Sequence, residues 1–203
     1  YPCRSGAVWT GIGCSNGYAT SISLSSVGIS GSLASSIGSL STLTYLRLFE
    51  NALSGELPES LGSLSGLSYI SLLRNSFTQS IPSTLGCLTA LSFVSITENS
   101  LTGSIPTSVC LLTKISSFYI TTGATNPGIC GEYPSCVSGF GDASNTVLNT
   151  CPGDGPSFQD NALCGLIAAT NVESVYSDWS CVSDGGSSTT TINPCAPWTG
   201  ITC

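Results

Sequence analysis

The chain has 203 residues, of which only 7% are charged, and its formal net charge is −7. Its only cations are Arg4, Arg47, Arg74 and Lys114, so nucleic acid and anionic membrane surfaces are disfavoured as partners. No stretch approaches the roughly 20 consecutive apolar residues of a membrane-spanning helix. Eleven cysteines indicate an oxidising, extracellular compartment, for a protein that is secreted or held at the cell surface.

A motif recurs every 24 residues through the first two thirds of the chain. It reads LTYLRLFENALSGELPESLGSL from Leu43, LSYISLLRNSFTQSIPSTLGCL from Leu67 and LSFVSITENSLTGSIPTSVCLL from Leu91. Degenerate copies begin at Ile22 and Ile115. A period of this length, with regularly spaced leucines, predicts an α/β solenoid in which each repeat gives one short strand to a parallel sheet.

The motif N-x-L-x-G-x-[IL]-P-x-x-L-G-x-L resembles the repeats of plant-type and protist extracellular leucine-rich-repeat proteins. PCRSGAVWTGIGC, at Pro2–Cys14, is similar to the cap that opens such domains, and TNPGICGEYPSC, at Thr125–Cys136, to the cap that closes them. The resemblance implies a horseshoe with a concave strand face, an irregular or 3-10 convex side and disulfide-closed caps. It also implies that Asn51, Asn75 and Asn99 form a structural ladder that satisfies backbone groups.

We predict four segments along the chain. They are a partial N-terminal cap (1–18), about five repeats (19–124), a C-terminal cap with a linker (125–158) and a second N-terminal-cap-like unit (159–203). The last unit has apolar residues at helical spacing in Asp160–Tyr176, and its ending, INPCAPWTGITC, repeats much of the first cap. This duplication favours a tandem array or head-to-tail assembly, in which the first strand of the next unit, Ala19–Ser25, is covered by Leu163, Leu166 and Ile167.

Local spacing and repeat geometry predict the disulfide bonds. The expected pairs are Cys3–Cys14, Cys87–Cys110, Cys130–Cys136 and Cys195–Cys203. The pairing of Cys151, Cys164 and Cys181 stays open. Among these three, Cys164–Cys181 is favoured because both residues belong to the same cap unit.

Alternation along each strand divides the side chains into two sets. The inward set forms two core columns, Leu46/Ile70/Val94/Phe118 and Leu48/Leu72/Ile96/Ile120. The outward set on the concave face gives the contact candidates Tyr45, Arg47, Phe49, Glu50, Tyr69, Leu73, Arg74, Phe93 and Glu98. This face is either a self-satisfied surface of stacked aromatic rings or a contact patch for a peptide, a glycan or another subunit.

Enzyme chemistry is not expected. The chain has no histidine, which excludes Ser-His-Asp and Cys-His arrangements, and we predict no metal or cofactor site. Attached sugars would help to explain the solubility of a chain with so few charges. The candidates are Ser187, Ser188, Thr189, Thr190 and Thr191 for O-linked glycans and Asn149, in an N-x-C sequence, for an N-linked one.

The sequence thus leads to two hypotheses on function. The first is a structural building block of a linear extracellular fibre or matrix, assembled from copies of itself. The alternative is a recognition ectodomain, such as a receptor or an inhibitor of cell-wall enzymes, that binds a peptide, protein or glycan on the concave face.

Overall fold

The computed structural model describes residues 3, 9–120, 126–140 and 151. Its main sheet has six strands, five of them parallel and one per repeat, in the order β1-β2-β4-β6-β8-β10. These strands are β1 (Ile12–Ser15), β2 (Tyr18–Ser23), β4 (Tyr45–Arg47), β6 (Tyr69–Ser71), β8 (Phe93–Ser95) and β10 (Ser117–Tyr119). Among the residues described here, no helix is long and apolar enough to cross a membrane.

Each repeat continues into a second short strand and then a 3-10 helix. The second strands are β3 (Ser30–Ser32), β5 (Ala52–Gly55), β7 (Ser76–Phe77), β9 (Thr102–Ser104) and β11 (Gly128–Cys130). The 3-10 helices are η1 (Ser35–Ser39), η2 (Glu59–Ser63), η3 (Ser83–Cys87), η4 (Thr107–Leu111) and η5 (Ser135–Val137). This is the predicted solenoid; the predicted helix Asp160–Tyr176 and its cap unit lie outside the described residues.

The core consists of columns of apolar side chains that repeat from strand to strand. Leu46 is in register with Ile70, Ile70 with Val94 and Val94 with Phe118. All four are fully buried, and the second predicted column, Leu48/Leu72/Ile96/Ile120, is at most 4% exposed. Both predicted columns are therefore confirmed. Each such side chain contributes about 1.5–3 kcal/mol to folding when it leaves water.

A ladder of asparagines follows the main strands. Asn99 accepts a hydrogen bond from the Phe77 N–H and donates to the carbonyls of Leu72, Ile96 and Thr97. Asn51 and Asn75 make equivalent bonds, as the family resemblance implied. The ladder has a further rung, Asn126, which accepts from the Leu101 N–H. Sequence analysis missed it because it lies 27 residues after Asn99, outside the regular period.

The last repeat is longer than the others, and this changes the disulfide pairing. β11 pairs with β9 at an offset of 26 residues, Thr102 against Gly128. The same offset brings Cys136 to Cys110, and the two are disulfide-bonded with their Cα atoms 5.4 Å apart. The predicted pairs Cys87–Cys110 and Cys130–Cys136 are therefore wrong. Cys87 and Cys130 are also disulfide-bonded, but to other partners.

The direction of the side chain at this position explains the error. Cys110 has the phase of Gly62 and Gly86, and a Cβ atom on Gly86 would point into the next repeat, at Ser108. A side chain at this phase thus points forward along the solenoid. Cys110 therefore faces the elongated last repeat, which has room for it, and not the preceding repeat that contains Cys87.

The N-terminal end is closed by a hairpin. β1 runs antiparallel to β2, with Ile12 opposite Ile22, and Cys3 is bonded to Cys14 as predicted. The first strand of the solenoid is Tyr18–Ser23 rather than the predicted Ala19–Ser25. β1 therefore pairs with the edge of β2 that faces away from β4 and is itself the edge strand of the sheet.

We predict that Asn99→Ala lowers the free energy of unfolding by about 1–3 kcal/mol. The change leaves the buried Phe77 N–H without its acceptor, which costs roughly 1–3 kcal/mol. The carbonyls of Leu72, Ile96 and Thr97 each keep a second donor. Urea unfolding followed by circular dichroism measures the loss. The exposed neighbour Ser100→Ala is the control and should change stability by less than about 0.5 kcal/mol. A loss below about 1 kcal/mol in Asn99→Ala would show that the asparagine ladder contributes little to stability.

Two glycine substitutions should act in opposite directions. In Gly86→Ala the new Cβ overlaps the carbonyl oxygen of Ser108 and lies 2.6 Å from its carbonyl carbon, so we expect a loss of about 1–3 kcal/mol. In Gly66→Ala the nearest atom is 3.8 Å away, and the smaller entropy of the unfolded chain should stabilise the fold by about 0.4–1 kcal/mol. Thermal unfolding of both variants checks the signs. Equal effects would show that the 3-10 helices are not closely packed.

Candidate functional site

The outward side chains of β2, β4, β6, β8 and β10 form a continuous surface, which we call the sheet face. The rings of Tyr45 and Tyr69 are stacked with centroids 4.4 Å apart, and those of Tyr69 and Phe93 are also 4.4 Å apart and nearly parallel. The spacing follows from the sheet, because parallel strands lie about 4.8 Å apart. Tyr119 extends the row at 5.7 Å from Phe93, with its ring tilted by 50°. These four half-buried residues are the aromatic stack.

Tyr119 is the member of the stack that sequence analysis did not identify. Its backbone is in register with Ser95, one column away from Phe93, whose own neighbour is Ser117. Strict periodicity therefore assigns Tyr119 to another column. The ring contact arises because a long side chain reaches diagonally across the strands. The aromatic character of position 119 was the signal that could have pointed to it.

Burial gives the central ring of the stack a perturbed pKa. Loss of solvent is the largest cause that raises the pKa of Tyr69, and the adjacent Tyr45 raises it further. The Tyr69 phenol therefore stays protonated through the physiological range. It offers a neutral O–H donor in the middle of an aromatic surface.

A row of charged side chains runs beside the stack and forms the charge ladder. Arg74 donates from Nη1 to Glu50 Oε1 and from Nε to Glu98 Oε2, both at 2.7 Å. Ser26 extends the ladder by donating from Oγ to Glu50 Oε2 at 2.8 Å. The alternating order of these charges follows directly from the 24-residue period. Since Arg74 and Glu50 are exposed, each rung contributes little to the stability of the fold.

The ladder residues share an unusual backbone conformation. Ser26, Glu50, Arg74 and Glu98 all have φ between 53° and 57°, where residues other than glycine and asparagine are uncommon. Each of the three charged residues directly precedes an asparagine of the buried ladder. The left-handed residue thus marks the bend at which the chain leaves the sheet, and it turns the charged side chains into one line.

Arg47 is the cation of the sheet face that has no carboxylate partner among the described residues. Its guanidinium carbon lies 4.5 Å from the centroid of the Phe49 ring, a cation–π arrangement. Its Nε atom is buried and makes no hydrogen bond. Phe49 and Leu73 are half-buried beside it, and Thr97, in the same column, is buried.

Comparison with known proteins agrees with this architecture. Residues 42–64 match the family model for the Leucine Rich Repeat. The described repeats form a leucine-rich-repeat solenoid with one disulfide bond at each end of the repeats. No curated protein gives a significant sequence match.

The solved structures similar to this leucine-rich-repeat solenoid include plant ectodomains. The BIR3–SERK2 complex from Arabidopsis thaliana is 23% identical, with a TM-score of 0.60, over 75% of this chain and 88% of the other. The BIR2 ectodomain from the same plant is 23% identical, with a TM-score of 0.62, over 73% of this chain and 79% of the other. These two similarities establish the fold.

A third similar structure is a much larger molecule. It is the LRR ectodomain of the Arabidopsis thaliana membrane receptor kinase GASSHO1/SCHENGEN3 in complex with CASPARIAN STRIP INTEGRITY FACTOR 2. It is 28% identical, with a TM-score of 0.59, over 68% of this chain but only 17% of its own. The leucine-rich-repeat solenoid described here therefore spans less than a fifth of that ectodomain.

Several predicted residues lie outside the described part of the solenoid. They are the assembly residues Leu163, Leu166 and Ile167, the glycan candidates Asn149, Ser187, Ser188, Thr189, Thr190 and Thr191, and the cysteines Cys164, Cys181, Cys195 and Cys203. Cys151 is described and is disulfide-bonded. The described residues contain no group of three or more His, Cys, Asp or Glu side chains that could hold a metal ion.

We predict that Ser26→Ala raises the pKa of the Glu50 carboxyl toward its ordinary value. The hydrogen bond from Ser26 is the largest cause that lowers this pKa, and the bond from Arg74 is the second. NMR titration of the Glu50 carboxyl carbon measures the change. Ser39→Ala, at another exposed serine, is the control and should leave the pKa unaltered.

The same linkage sets the pH range in which the ladder stabilises the fold. Because the pKa of Glu50 is lowered in the folded state, its contribution is complete above the ordinary glutamate pKa and is lost as the pH falls through the lower, folded value. The pH at which this contribution disappears should therefore be higher in Ser26→Ala. An unchanged Glu50 titration in that variant would show that the Ser26 bond does not persist in solution.

Proposed function

We propose that the described repeat domain is an extracellular, non-catalytic recognition module that binds a peptide or protein segment on its sheet face. The observation that carries the proposal is the aromatic stack, a line of four half-buried rings beside a charge ladder. Partly exposed Tyr and Phe rings on a rigid scaffold are typical of protein contact surfaces, since they bury large areas with little loss of side-chain freedom.

The disulfide bonds support an extracellular location. All seven cysteines in the described part of the chain are disulfide-bonded. Disulfides form and persist in oxidising compartments and are rare in the cytosol. The acidic net charge and the small number of cations are also compatible with a secreted or cell-surface protein.

The similar plant proteins support the choice of partner. GASSHO1/SCHENGEN3 is solved in complex with CASPARIAN STRIP INTEGRITY FACTOR 2, and BIR3 is solved in complex with SERK2. A leucine-rich-repeat surface used in this way provides a precedent for binding another polypeptide. We extend that precedent to the sheet face of this chain.

The geometry of the stack favours a polypeptide over a glycan. Sugars bind aromatic side chains through the flat face of a ring, whereas both faces of Tyr69 are covered by the parallel rings of Tyr45 and Phe93. At Tyr69, in the middle of the stack, the surface thus presents a ring edge, which carries partial positive charge. Ring edges suit backbone carbonyl oxygens and aliphatic side chains, both of which a peptide supplies.

The fibre hypothesis finds less support in the described residues. The helix on which it depends lies outside them, and the backbone edge of β2 is already paired with β1. No described contact therefore supports assembly from copies of the chain. The aromatic stack supports recognition of a partner, so recognition is the function we propose.

We predict that Tyr69→Ala weakens the binding of selected peptides by about tenfold or more, as expected for a central aromatic contact. Peptides selected from a phage-displayed random library against the full chain are measured by isothermal titration calorimetry. Tyr69 is half-buried and its core neighbour Ile70 is unchanged, so the variant should fold. Tyr18→Ala is the matched control, since Tyr18 is 54% exposed and lies outside the stack. Failure to select any peptide, or binding insensitive to Tyr69→Ala and Tyr45→Ala, would overturn the proposal.

A further inference from the structure

The sheet face has a step in height between its first and second repeats. The first repeat presents only serines, at Ser21, Ser23 and Ser25. Ser21 is in register with Tyr45 and Ser23 with Arg47, so small side chains lie directly beside large ones. We call Ser21, Ser23, Ser25, Tyr45, Arg47 and Phe49 the serine step.

The step leaves one ring face of the aromatic stack open. Tyr45 is covered on one side by Tyr69, but its neighbour on the other side in the same column is Ser21. Beyond Ser21, β1 contributes Gly13, and the Ser21 hydroxyl occupies the position that a side chain on Gly13 would take. An apolar group can therefore lie on Ser21 and contact the open face of the Tyr45 ring.

Two unsatisfied polar atoms lie at the same step. Among the described residues, the buried side-chain atoms without a hydrogen-bond partner are Ser25 Oγ and Arg47 Nε. Buried polar atoms in folded proteins are nearly always paired with protein groups, water or a ligand, so each exception calls for such a partner. Both atoms can donate a hydrogen bond. Arg47 lies over the Phe49 ring, and Phe49 is one 24-residue period after Ser25, so both donors belong to the serine step, where one acceptor group can pair with them.

The charge of the step identifies the acceptor. Arg74, the other arginine of the sheet face, is neutralised by two glutamates, whereas Arg47 has no ion pair and no side-chain hydrogen bond among the described residues. Its stacking on Phe49 holds the guanidinium at the sheet face. An arginine in this position fits a carboxylate, whose two oxygens match the planar fork of donors.

We infer that the serine step binds a carboxylate that lies beside an apolar side chain of the partner, an inference that rests on the proposed function. The carboxylate accepts hydrogen bonds from Arg47 and from the Ser25 hydroxyl, and the apolar side chain covers the open face of Tyr45. The carboxylate comes either from an acidic side chain or from the C-terminus of the bound segment.

NMR with two small probes tests the site directly. The first probe, N-acetyl-phenylalaninate, has a terminal carboxylate, and the second, N-acetyl-phenylalanyl-aspartate amide, has a side-chain carboxylate. The chain has three arginines, Arg4, Arg47 and Arg74, so the Nε–Hε signal of Arg47 can be assigned by its loss in Arg47→Gln. We expect this signal to shift with at least one probe and not with the matching neutral compounds, in which an amide replaces the carboxylate.

Comparison of the two probes identifies the source of the carboxylate. Arg47→Gln should abolish the probe-induced shifts of the step, whereas Lys114→Ala, which removes an exposed cation elsewhere, should not. If the Arg47 signal does not move up to the solubility limit of either probe, or moves equally with the neutral compounds, the inference is wrong.

Selected peptides provide the second measurement and separate the two proposals. For a peptide with an essential Asp or Glu, Arg47→Gln in the protein should weaken binding about tenfold, and so should replacing that Asp or Glu by Asn or Gln in the peptide. The two changes together should weaken binding no more than either one alone. If selected peptides depend on Tyr69 but not on Arg47, the serine step is not a carboxylate site although the proposed function stands. If the probes shift Arg47 and no peptide depends on Tyr69, the carboxylate site stands and the proposed function does not.

Discussion

The asparagine ladder is the constraint on which the rest of the domain depends. The amides of Asn51, Asn75 and Asn99 each join three carbonyls and at least one N–H of their own and neighbouring turns, so the bends after these strands have one geometry. Because the bend is the same in each repeat, the strands remain in register and equivalent side chains stack. The apolar columns, the aromatic stack and the charge ladder are all consequences of this register. A change in the ladder would therefore disturb the sheet face as well as the core.

The regular part of the fold could be predicted from the sequence because a 24-residue period leaves little freedom. The columns from Leu46 to Phe118 and the order of Glu50, Arg74 and Glu98 follow from counting alone. Counting fails where the period changes. The β9–β11 pairing has an offset of 26 residues, whereas β3–β5 and β5–β7 have 22, and this longer last repeat accounts for both wrong disulfides and for the missed rung at Asn126.

Other features could not be predicted because they depend on side-chain reach and backbone angles. The diagonal contact from Phe93 to Tyr119 needs the length of a tyrosine side chain, which a column assignment does not include. The left-handed backbone at Glu50, Arg74 and Glu98 has no sequence signal of the usual kind, since none of these is Gly or Asn. It arises at the bend where the chain leaves each strand, since Ser26, which precedes Val27, has the same angle. Here the geometry of the repeat outweighs the local preference of the residue at the bend.

Departures from the repeat pattern determine where a solenoid of this kind can distinguish one partner from another. A perfectly periodic face would offer the same contacts in every register, and an extended partner could slide along it by one repeat at little cost. The sheet face is not periodic at its ends: the first repeat has serines where the second has Tyr45 and Arg47, and Tyr119 tilts away from the regular stack at the other end. The regular rings between them supply contact area. The two irregular ends give the face a direction, and a bound chain must match that direction.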